Sequence, residues 1–485
     1  MPKFSKFNGL KAAQAQLDFV DIHTGKDTPV FIDPFAIEIR ADAWSNQCAE
    51  AIRSFFDAVL SSLRSNDEGR VRYLLGQLHE PSETYLGLSK GKPNGKGVGS
   101  FQAELLADAI RNSVAFVSGR LEDISELALY VEGIGRDKVS DLTTNIIRSN
   151  LVSYTQDQCN LFGISIADYV GPPVWDTKSG EWKSKTVQLP YVKKKPVLLV
   201  PKAIVRRKLS INSSDFYSKH ILNFLQAEHV DAHGSLSALV RGKRSIATKT
   251  KTAVKKPPKT QLAKVHPKSP ELILDIVRDH PELLDYYKKI ASERSEPLTI
   301  SEKDDSVAKV CALLSEKLKR IPTGVKTATE YHHLCMGALT TVFYPSLALP
   351  SNEWDINSGR KRIDIVYMND AREGFLQQRR EASNTCASML IVECKNYSKD
   401  IANGEIDQLL GRFDNRRGKL GWMLCREIDD EKKLFERCAD LSKAGSGYIL
   451  VFTDSDVHEL LRLKGMSDER AINLLLLDKF KRLIS

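Results

Sequence analysis

The amino-acid sequence predicts a protein of several α/β domains, with a central mixed sheet flanked by helices in its C-terminal part. Three observations support this prediction. The chain has 485 residues, which is more than one ordinary hydrophobic core accommodates. Its hydrophobic content of 42% is sufficient for packed cores. Between residues 325 and 485, apolar runs of strand length alternate with amphipathic helical patterns, as expected when helices cover a sheet.

The composition argues against several classes of protein. No stretch approaches the roughly 18 uninterrupted apolar residues of a membrane span, and the first residues lack the apolar block of a signal peptide. The 8 cysteines form no CxxC pair, so neither a zinc ribbon nor a disulfide framework is indicated. We therefore expect a cytoplasmic protein without membrane contact. The net charge of +9 suits a polyanionic partner, although charge concerns association rather than fold.

Residues 1–240 are predicted to form a mixed α/β region. Two stretches have the periodicity of amphipathic helices, residues 41–64 and residues 100–117. No motif in this region indicates a function. We expect it to sense, target or regulate, through a partner protein, a nucleic-acid feature or a second copy of the chain. Its strand-like apolar runs are residues 29–35, 127–134 and 195–205.

A basic run, residues 241–270, divides the chain. It has many lysines and arginines and no acidic residue, so it cannot bury itself and predicts a flexible linker. Two interpretations remain open for this run. It is either a solvated spacer or a spacer that also contacts nucleic-acid phosphates, through residues that include Lys255 and Lys256.

After the linker, the pattern predicts a helical segment over residues 271–324 and a separate domain over residues 325–485. The domain begins with a helix and continues with three strands, a helix, a strand, a helix, a strand and a closing helix. A polar insertion separates the second and third strands. The predicted strands are residues 347–356, 361–368, 389–397, 420–428 and 447–454, and the predicted helices include residues 327–343, 404–413 and 431–443.

Charged residues interrupt two of these predicted strands. Asp364 lies between Ile363 and Ile365, where a charge is costly unless something binds it. Glu393 and Lys395 are two positions apart in the next strand, so their side chains point to the same face. The plain alternative is a structural ion pair on an edge strand. Such a pair would not need the third charge.

The three residues together have the chemistry required for phosphodiester hydrolysis. The carboxylates of Asp364 and Glu393 are hard oxygen donors, the type that magnesium prefers. A bound cation supplies a water-derived nucleophile and neutralises charge on a phosphate. Lys395 is placed to orient the attacking water or to stabilise the developing negative charge.

Asp364 followed by Glu393, Cys394 and Lys395, in this order of elements, resembles the PD-(D/E)XK, or restriction-endonuclease-like, nuclease superfamily. The resemblance covers about residues 325–485. It implies a restriction-endonuclease-like α/β core, with Mg²⁺ as the cofactor and Mn²⁺ as a substitute. It also implies that Asp364 and Glu393 are the metal ligands and that Lys395 is catalytic.

The sequence departs from the superfamily pattern in two places. Ile363 stands where the motif has proline, and the insertion between Asp364 and Glu393 is unusually long. The run ECKNYS followed by a helix with a glutamine resembles the branch of bacterial restriction enzymes that act on modified DNA. That glutamine, Gln408, matches a residue beside the active site in related nucleases, and the alternative is an ordinary exposed side chain.

Further residues are candidates for the metal or the nucleic acid. Glu330, on the first helix of the domain, matches an acidic residue that contacts the metal or its water in many members, although solvation of the helix explains it equally well. Basic residues near a helix end also complement the helix dipole. The predicted contacts to phosphate are made by Asn396, Tyr397, Arg412, Arg416, Arg417 and Lys419.

The sequence thus predicts a magnesium-dependent endonuclease that cleaves DNA. The resemblance further implies a bacterial restriction or phage-defence effector, with the N-terminal region as its sensing or targeting part. An RNA nuclease with the same site is one alternative, because the chemistry is shared. A nucleic-acid-binding scaffold that has lost activity is another, although the complete set of Asp364, Glu393 and Lys395 argues against it.

Overall fold

The computed structural model describes residues 2–87, 100–119, 121, 123–228, 258–294, 306–351, 365–397, 401 and 403–484. Within these ranges the buried apolar side chains form two clusters. We define the N-terminal unit as the described residues up to Arg294, and the C-terminal unit as those from Ser306 onward. Asp364, Lys255 and Lys256 lie outside the described residues. No helix within the described ranges is both long enough and apolar enough to cross a bilayer.

The N-terminal unit is mainly helical. Its longest helix, Ala43–Arg64, begins where the side chain of Asp42 accepts a hydrogen bond from the backbone amide of Ser45 at 2.8 Å. One stripe of this helix enters the core with Ile52, Phe55, Phe56 and Val59, which are spaced as a helical face requires. The helices of the unit are α1 Phe4–Phe7, α2 Pro34–Glu38, α3 Ala43–Arg64, α4 Glu68–Gly76, α5 Ser100–Arg111, α6 Val114–Val117, α7 Leu127–Tyr130, α8 Arg136–Ile146, α9 Arg148–Phe162, α10 Ser213–Phe216, α11 Leu222–Glu228, α12 Lys259–Val265, α13 Pro270–Asp279 and α14 Pro281–Arg294.

Short antiparallel strand pairs complete the N-terminal unit, so the mixed α/β character predicted for it is confirmed. The predicted strand over residues 127–134 is wrong, because α7 occupies its first half and buries Leu127, Leu129 and Tyr130. Here tertiary packing prevails over strand propensity. The pairs are β1 Phe31–Ile32 with β8 Val205–Arg206, β2 Ala167–Val170 with β5 Thr186–Leu189, β3 Val174–Asp176 with β4 Glu181–Lys183, and β6 Tyr191–Val192 with β7 Lys195–Pro196.

The described end of the basic run is not a linker. Residues 259–265 form α12, and Leu262 is 3% exposed within the N-terminal core. Helices α13 and α14, which the sequence assigns to a preamble of the C-terminal domain, also bury their apolar side chains there, with Leu274 and Tyr287 among them. The segment forms amphipathic helices as predicted, but these helices pack on the N-terminal core and not on the C-terminal domain. The buried side chains up to Ala291 belong mainly to the first cluster and those from Val310 mainly to the second, so the clusters do not divide near residue 270.

The C-terminal unit is built around one mixed sheet. Among the described residues it has five strands in the order β13-β12-β11-β10-β9, with helices on its faces. The strands and helices follow the predicted order, with two differences: a helix lies within the polar insertion, and two helices rather than one follow the last strand. The elements are α15 Val307–Arg320, α16 Ala328–Phe343, β9 Leu347–Ser351, β10 Ile365–Asn369, α17 Gly374–Glu381, β11 Met389–Lys395, α18 Asn403–Leu410, β12 Leu420–Cys425, α19 Glu431–Lys443, β13 Tyr448–Thr453, α20 Asp454–Gly465 and α21 Glu469–Ile484.

Strand direction changes at the centre of this sheet. β11 runs antiparallel to β10, with Ile365 opposite Val392, and parallel to β12, with Glu393 opposite Met423. β12 and β13 are also parallel. The carboxyl ends of β11, β12 and β13 therefore lie along one edge of the sheet, which is where ligands bind in many open α/β sheets.

The N-terminal unit covers the edge strand β9. The backbone amide of Leu349 donates to the carboxylate of Asp18 at 3.1 Å, and the side-chain amide of Gln158 donates to the carbonyl of Pro350 at 2.8 Å. Asp18 and Gln158 are both fully buried. Backbone groups of an exposed edge strand pair readily with other chains, and here side chains of the same chain satisfy part of that edge.

Candidate functional site

Glu393 lies at the centre of a buried cluster of charges. One carboxylate oxygen accepts a hydrogen bond from Lys395 Nζ at 2.6 Å, and the other accepts one from a guanidinium nitrogen of Arg412 at 2.5 Å. The side chains of Glu393, Arg412 and Lys395 are 2%, 6% and 15% exposed. The strand pattern correctly placed Glu393 and Lys395 on one face. The strand pattern did not indicate that a second cation, Arg412, contacts Glu393.

The cluster belongs to the middle of the sheet. β11 is the third of the five described strands. The ion pair of Glu393 and Lys395 therefore does not lie on an edge strand, as the alternative interpretation of the sequence assumed. Alternation along β11 turns Leu390 and Val392 to the other face, where both are fully buried. A buried charge is costly without partners, and the two cations provide them.

Phe413, the neighbour of Arg412 in the sequence, is tightly packed. Arg412 follows helix α18, and the ring of Phe413 fills a space left by two glycines. A Cβ atom on Gly447 would lie 2.3 Å from this ring, and one on Gly421 would lie 2.9 Å from it. The prediction that Arg412 contacts phosphate needs correction, because the residue is 7% exposed and its guanidinium contacts Glu393.

Asn396, at the end of β11, also differs from its predicted role. It is 5% exposed, and its side-chain amide donates to the carbonyl of Gly324 and to Thr327 Oγ1, each at 3.0 Å. Its own carbonyl accepts from the amide of Gly324 at 2.7 Å. These bonds join the end of β11 to the turn that precedes helix α16. Asn396 therefore holds two elements of the site together and does not face a phosphate.

Tyr397 and Gln408 lie close to helix α18. The hydroxyl of Tyr397 donates to the carboxylate of Glu405 at 2.8 Å, and burial, followed by Glu405, raises the pKa of this tyrosine. Gln408 is half-buried and lies one helical turn after Glu405, so the two share a side of the helix. A role of Tyr397 or Gln408 in phosphate binding or catalysis remains a prediction.

The basic turn before β12 lies at the other end of the sheet from Glu393. The amide of Met389 donates to the carbonyl of Arg417, which fixes the turn beside the start of β11. Met389 and Glu393 are four residues apart, and at about 3.3 Å per residue this amounts to about 13 Å. Arg416 is exposed, and Lys419 Nζ donates to the carbonyl of Gly445 at 3.2 Å. Contact of these residues and of Arg417 with nucleic-acid phosphates remains a prediction, and such contacts would lie away from Glu393.

A second cluster of charges was not predicted from the sequence. Arg426 pairs with Asp454 at 3.1 Å and lies 5.0 Å from the ring centre of Tyr331, whose hydroxyl donates to the same carboxylate. Burial raises the pKa of Asp454 to about 6. Arg426 and Asp454 directly follow β12 and β13, so they lie on the same edge as Lys395. Their position after two parallel strands was the available signal.

Glu330 is exposed in the first turn of helix α16, beside Tyr331. Within the described residues, no group of three or more His, Cys, Asp or Glu side chains is arranged to hold a metal ion. Asp364 is not among the described residues. Glu393 has the donor type that suits magnesium, since carboxylate oxygens are hard ligands. The metal-binding roles of Glu330, Asp364 and Glu393 therefore remain predictions.

The fold and site define an α/β protein whose central strand has a buried carboxylate between two cations, close to the carboxyl edge of a mixed sheet. A family model described as a domain of unknown function (DUF8370) matches residues 9–212, which lie in the N-terminal half of the chain. No curated protein and no solved structure matches the chain.

Proposed function

We propose that the protein is a divalent-metal-dependent endonuclease that hydrolyses phosphodiester bonds in DNA, and that its C-terminal unit has a restriction-endonuclease-like core. The single observation that supports this most strongly is the buried carboxylate of Glu393 in the middle strand, with Lys395 Nζ 2.6 Å away on the same face. An ionised carboxylate in the centre of a sheet is costly, and such arrangements are concentrated at functional sites.

The covalent chain supports a shared site for Asp364 and Glu393. Asp364 is bonded to Ile365, whose partner across the strand pair is Val392, the residue before Glu393. This register supports the proposal that the two carboxylates act together. Two carboxylates are a suitable ligand set for one hard cation.

In this proposal Asp364 and Glu393 hold a magnesium ion, and manganese substitutes for it. When bound, the ion supplies a Lewis acid and lowers the pKa of a coordinated water. Lys395 Nζ has three donors, one of which contacts Glu393 in the structure. The other donors orient a water molecule or stabilise negative charge that develops on the scissile phosphate.

The choice of DNA rests on the resemblance of the ECKNYS run and on the net charge of +9. The resemblance also supports a role as a bacterial restriction or phage-defence effector. The N-terminal unit is proposed to sense or target the substrate. Its contacts with β9 support a direct influence on the sheet that bears the site, because Asp18 and Gln158 bond to the backbone of that strand.

The test is a cleavage assay with purified full-length protein on plasmid DNA, with and without modified bases, and on RNA of similar length. Cleavage should require Mg²⁺ or Mn²⁺ and should fall by at least about a hundredfold in Asp364→Asn, Glu393→Gln and Lys395→Met. Lys432→Met, at a residue that is 88% exposed, is the matched control and should retain full activity. Cleavage at the wild-type rate by Glu393→Gln would overturn the proposal, and cleavage of RNA alone would change the substrate.

A further inference from the structure

The contact between Arg412 and Glu393 has a consequence for metal binding. Both oxygens of the Glu393 carboxylate contact cations, Lys395 at 2.6 Å and Arg412 at 2.5 Å. One negative charge is therefore matched by two positive charges among these three side chains. A divalent cation that approaches Glu393 meets both the attraction of the carboxylate and the repulsion of the guanidinium.

Lys395 and Arg412 are not equivalent in this cluster. Lys395 belongs to the same strand as Glu393 and lies two positions away, so the pleat of the strand fixes it beside the carboxylate. Arg412 reaches Glu393 from 19 positions along the chain, out of the segment that follows α18. A planar guanidinium group is well suited to hold a carboxylate in a fixed geometry.

The residue that follows Arg412, Phe413, leaves little room for movement of the backbone at this point. The ring occupies the space beside Gly421 and Gly447, and any larger residue at either glycine would collide with it. The arginine is also shielded from water, because 6% of its side chain is exposed. In such surroundings a charge pair is screened less than on the surface, so Arg412 acts strongly on Glu393.

We propose that Arg412 is a positioning residue that holds the carboxylate of Glu393 and competes with the divalent ion for it. This inference rests on the proposed function, because it assumes that Glu393 is a metal ligand. Arg412 then sets the metal concentration at which the site fills. It also serves, beside Lys395, as a counter-ion of this buried carboxylate whenever the metal is absent.

The decisive measurement is the dissociation constant of Mn²⁺ for the full-length protein without nucleic acid, from isothermal titration and from the electron paramagnetic resonance of free Mn²⁺. Arg412→Met removes the charge and retains most of the side-chain volume. It should tighten Mn²⁺ binding on the order of tenfold, because one like charge next to the ligand is gone. Arg412→Lys keeps the charge and should bind Mn²⁺ as the wild type does.

Two control variants separate this effect from others. Arg416→Met removes an equal charge from the exposed turn at the other end of β11 and should leave the dissociation constant within about twofold of the wild-type value. Glu393→Gln should abolish Mn²⁺ binding, which ties the measured site to this carboxylate. A wild-type affinity in Arg412→Met, with binding lost in Glu393→Gln, would overturn the inference and leave the proposed function standing.

A second measurement covers the case in which Arg412→Met does not fold. The measurement is nuclear magnetic resonance of the wild-type protein. The signal of the Arg412 side-chain Nε–Hε group is identified because it is lost in Arg412→Lys. Addition of diamagnetic Mg²⁺ should shift this signal as the ion displaces the guanidinium. An unchanged signal at saturating Mg²⁺ would contradict competition. Absence of both metal binding and cleavage in the wild-type protein would instead refute the proposed function.

Discussion

Arg40 of the N-terminal unit forms an ion pair with Asp370 at the end of strand β10, with nitrogen and oxygen 3.0 Å apart. The side chains are 3% and 8% exposed. Asp370 also accepts a hydrogen bond at 3.0 Å from the backbone amide of Ala41, 329 positions earlier in the chain. The two units are therefore joined by buried polar contacts at both strands of the β9–β10 pair, and the fold does not separate them cleanly.

Replacement of Asp370 by alanine should lower the free energy of unfolding by about 2 to 4 kcal/mol, because it leaves a buried guanidinium and a backbone amide short of an acceptor. Arg40 keeps its contact with Asp42 at 2.8 Å, so the loss should stay below the upper end of that range. The measurement is urea unfolding of the full-length protein, followed by circular dichroism.

The control for this variant is Glu381→Ala. Glu381 is 57% exposed and lies 3.5 Å from Arg380, so its removal should change the free energy of unfolding by no more than about 0.5 kcal/mol. Equal small effects of Asp370→Ala and Glu381→Ala would show that the contact between the units adds little to stability.

Replacement of Lys249, Lys251, Lys255 and Lys256 by alanine should weaken DNA binding and reduce its dependence on salt. Each phosphate contact contributes close to one unit to the slope of log affinity against log salt concentration. The preference for one DNA sequence over another should hardly change. Fluorescence anisotropy across a salt series measures both quantities. An unchanged slope would mean that this run is a spacer without phosphate contacts.

Asp141 should make stability fall as the pH rises toward about 8. Burial, followed by the charges of Asp137, Glu80 and Asp27, raises the pKa of Asp141 from its ordinary value of 3.8 to about 8. Between these two values the folded state keeps a proton that the unfolded state has lost, so stability decreases with pH over this window and levels off above it.

Asp141→Asn should remove this slope and raise the free energy of unfolding at pH 8.5 by on the order of 1 to 2 kcal/mol relative to the wild type. Asp108→Asn, at a residue with 58% exposure, should keep the wild-type profile. Urea unfolding at pH 5, 7 and 8.5 provides the comparison. Parallel profiles for the wild type and Asp141→Asn would show that this carboxyl is ionised in the folded protein throughout.

Local periodicity was sufficient for several features. The alternation along β11 identified a strand with Glu393 and Lys395 on one face, and the structure places their charged atoms 2.6 Å apart. Most of the order of strands and helices in the C-terminal unit could also be predicted, because each element has its own apolar pattern and length. Strand pleat and helical turn act over a few residues, so the sequence specifies them directly.

The contacts between segments that are distant in the sequence were decided only by tertiary packing. The prediction assigned α13 and α14 to the wrong core. An apolar stripe indicates that a helix is buried, but it does not indicate which part of the protein covers it. Arg412 and Asn396 are residue types that often bind phosphate. Each is buried here by contacts with residues that its position in the sequence does not indicate. Arg416 lies beside the start of β11, whereas Glu393 lies near the end of that strand. Such placements depend on sheet order and on the close fit of side chains from remote positions, which are properties of the folded chain as a whole.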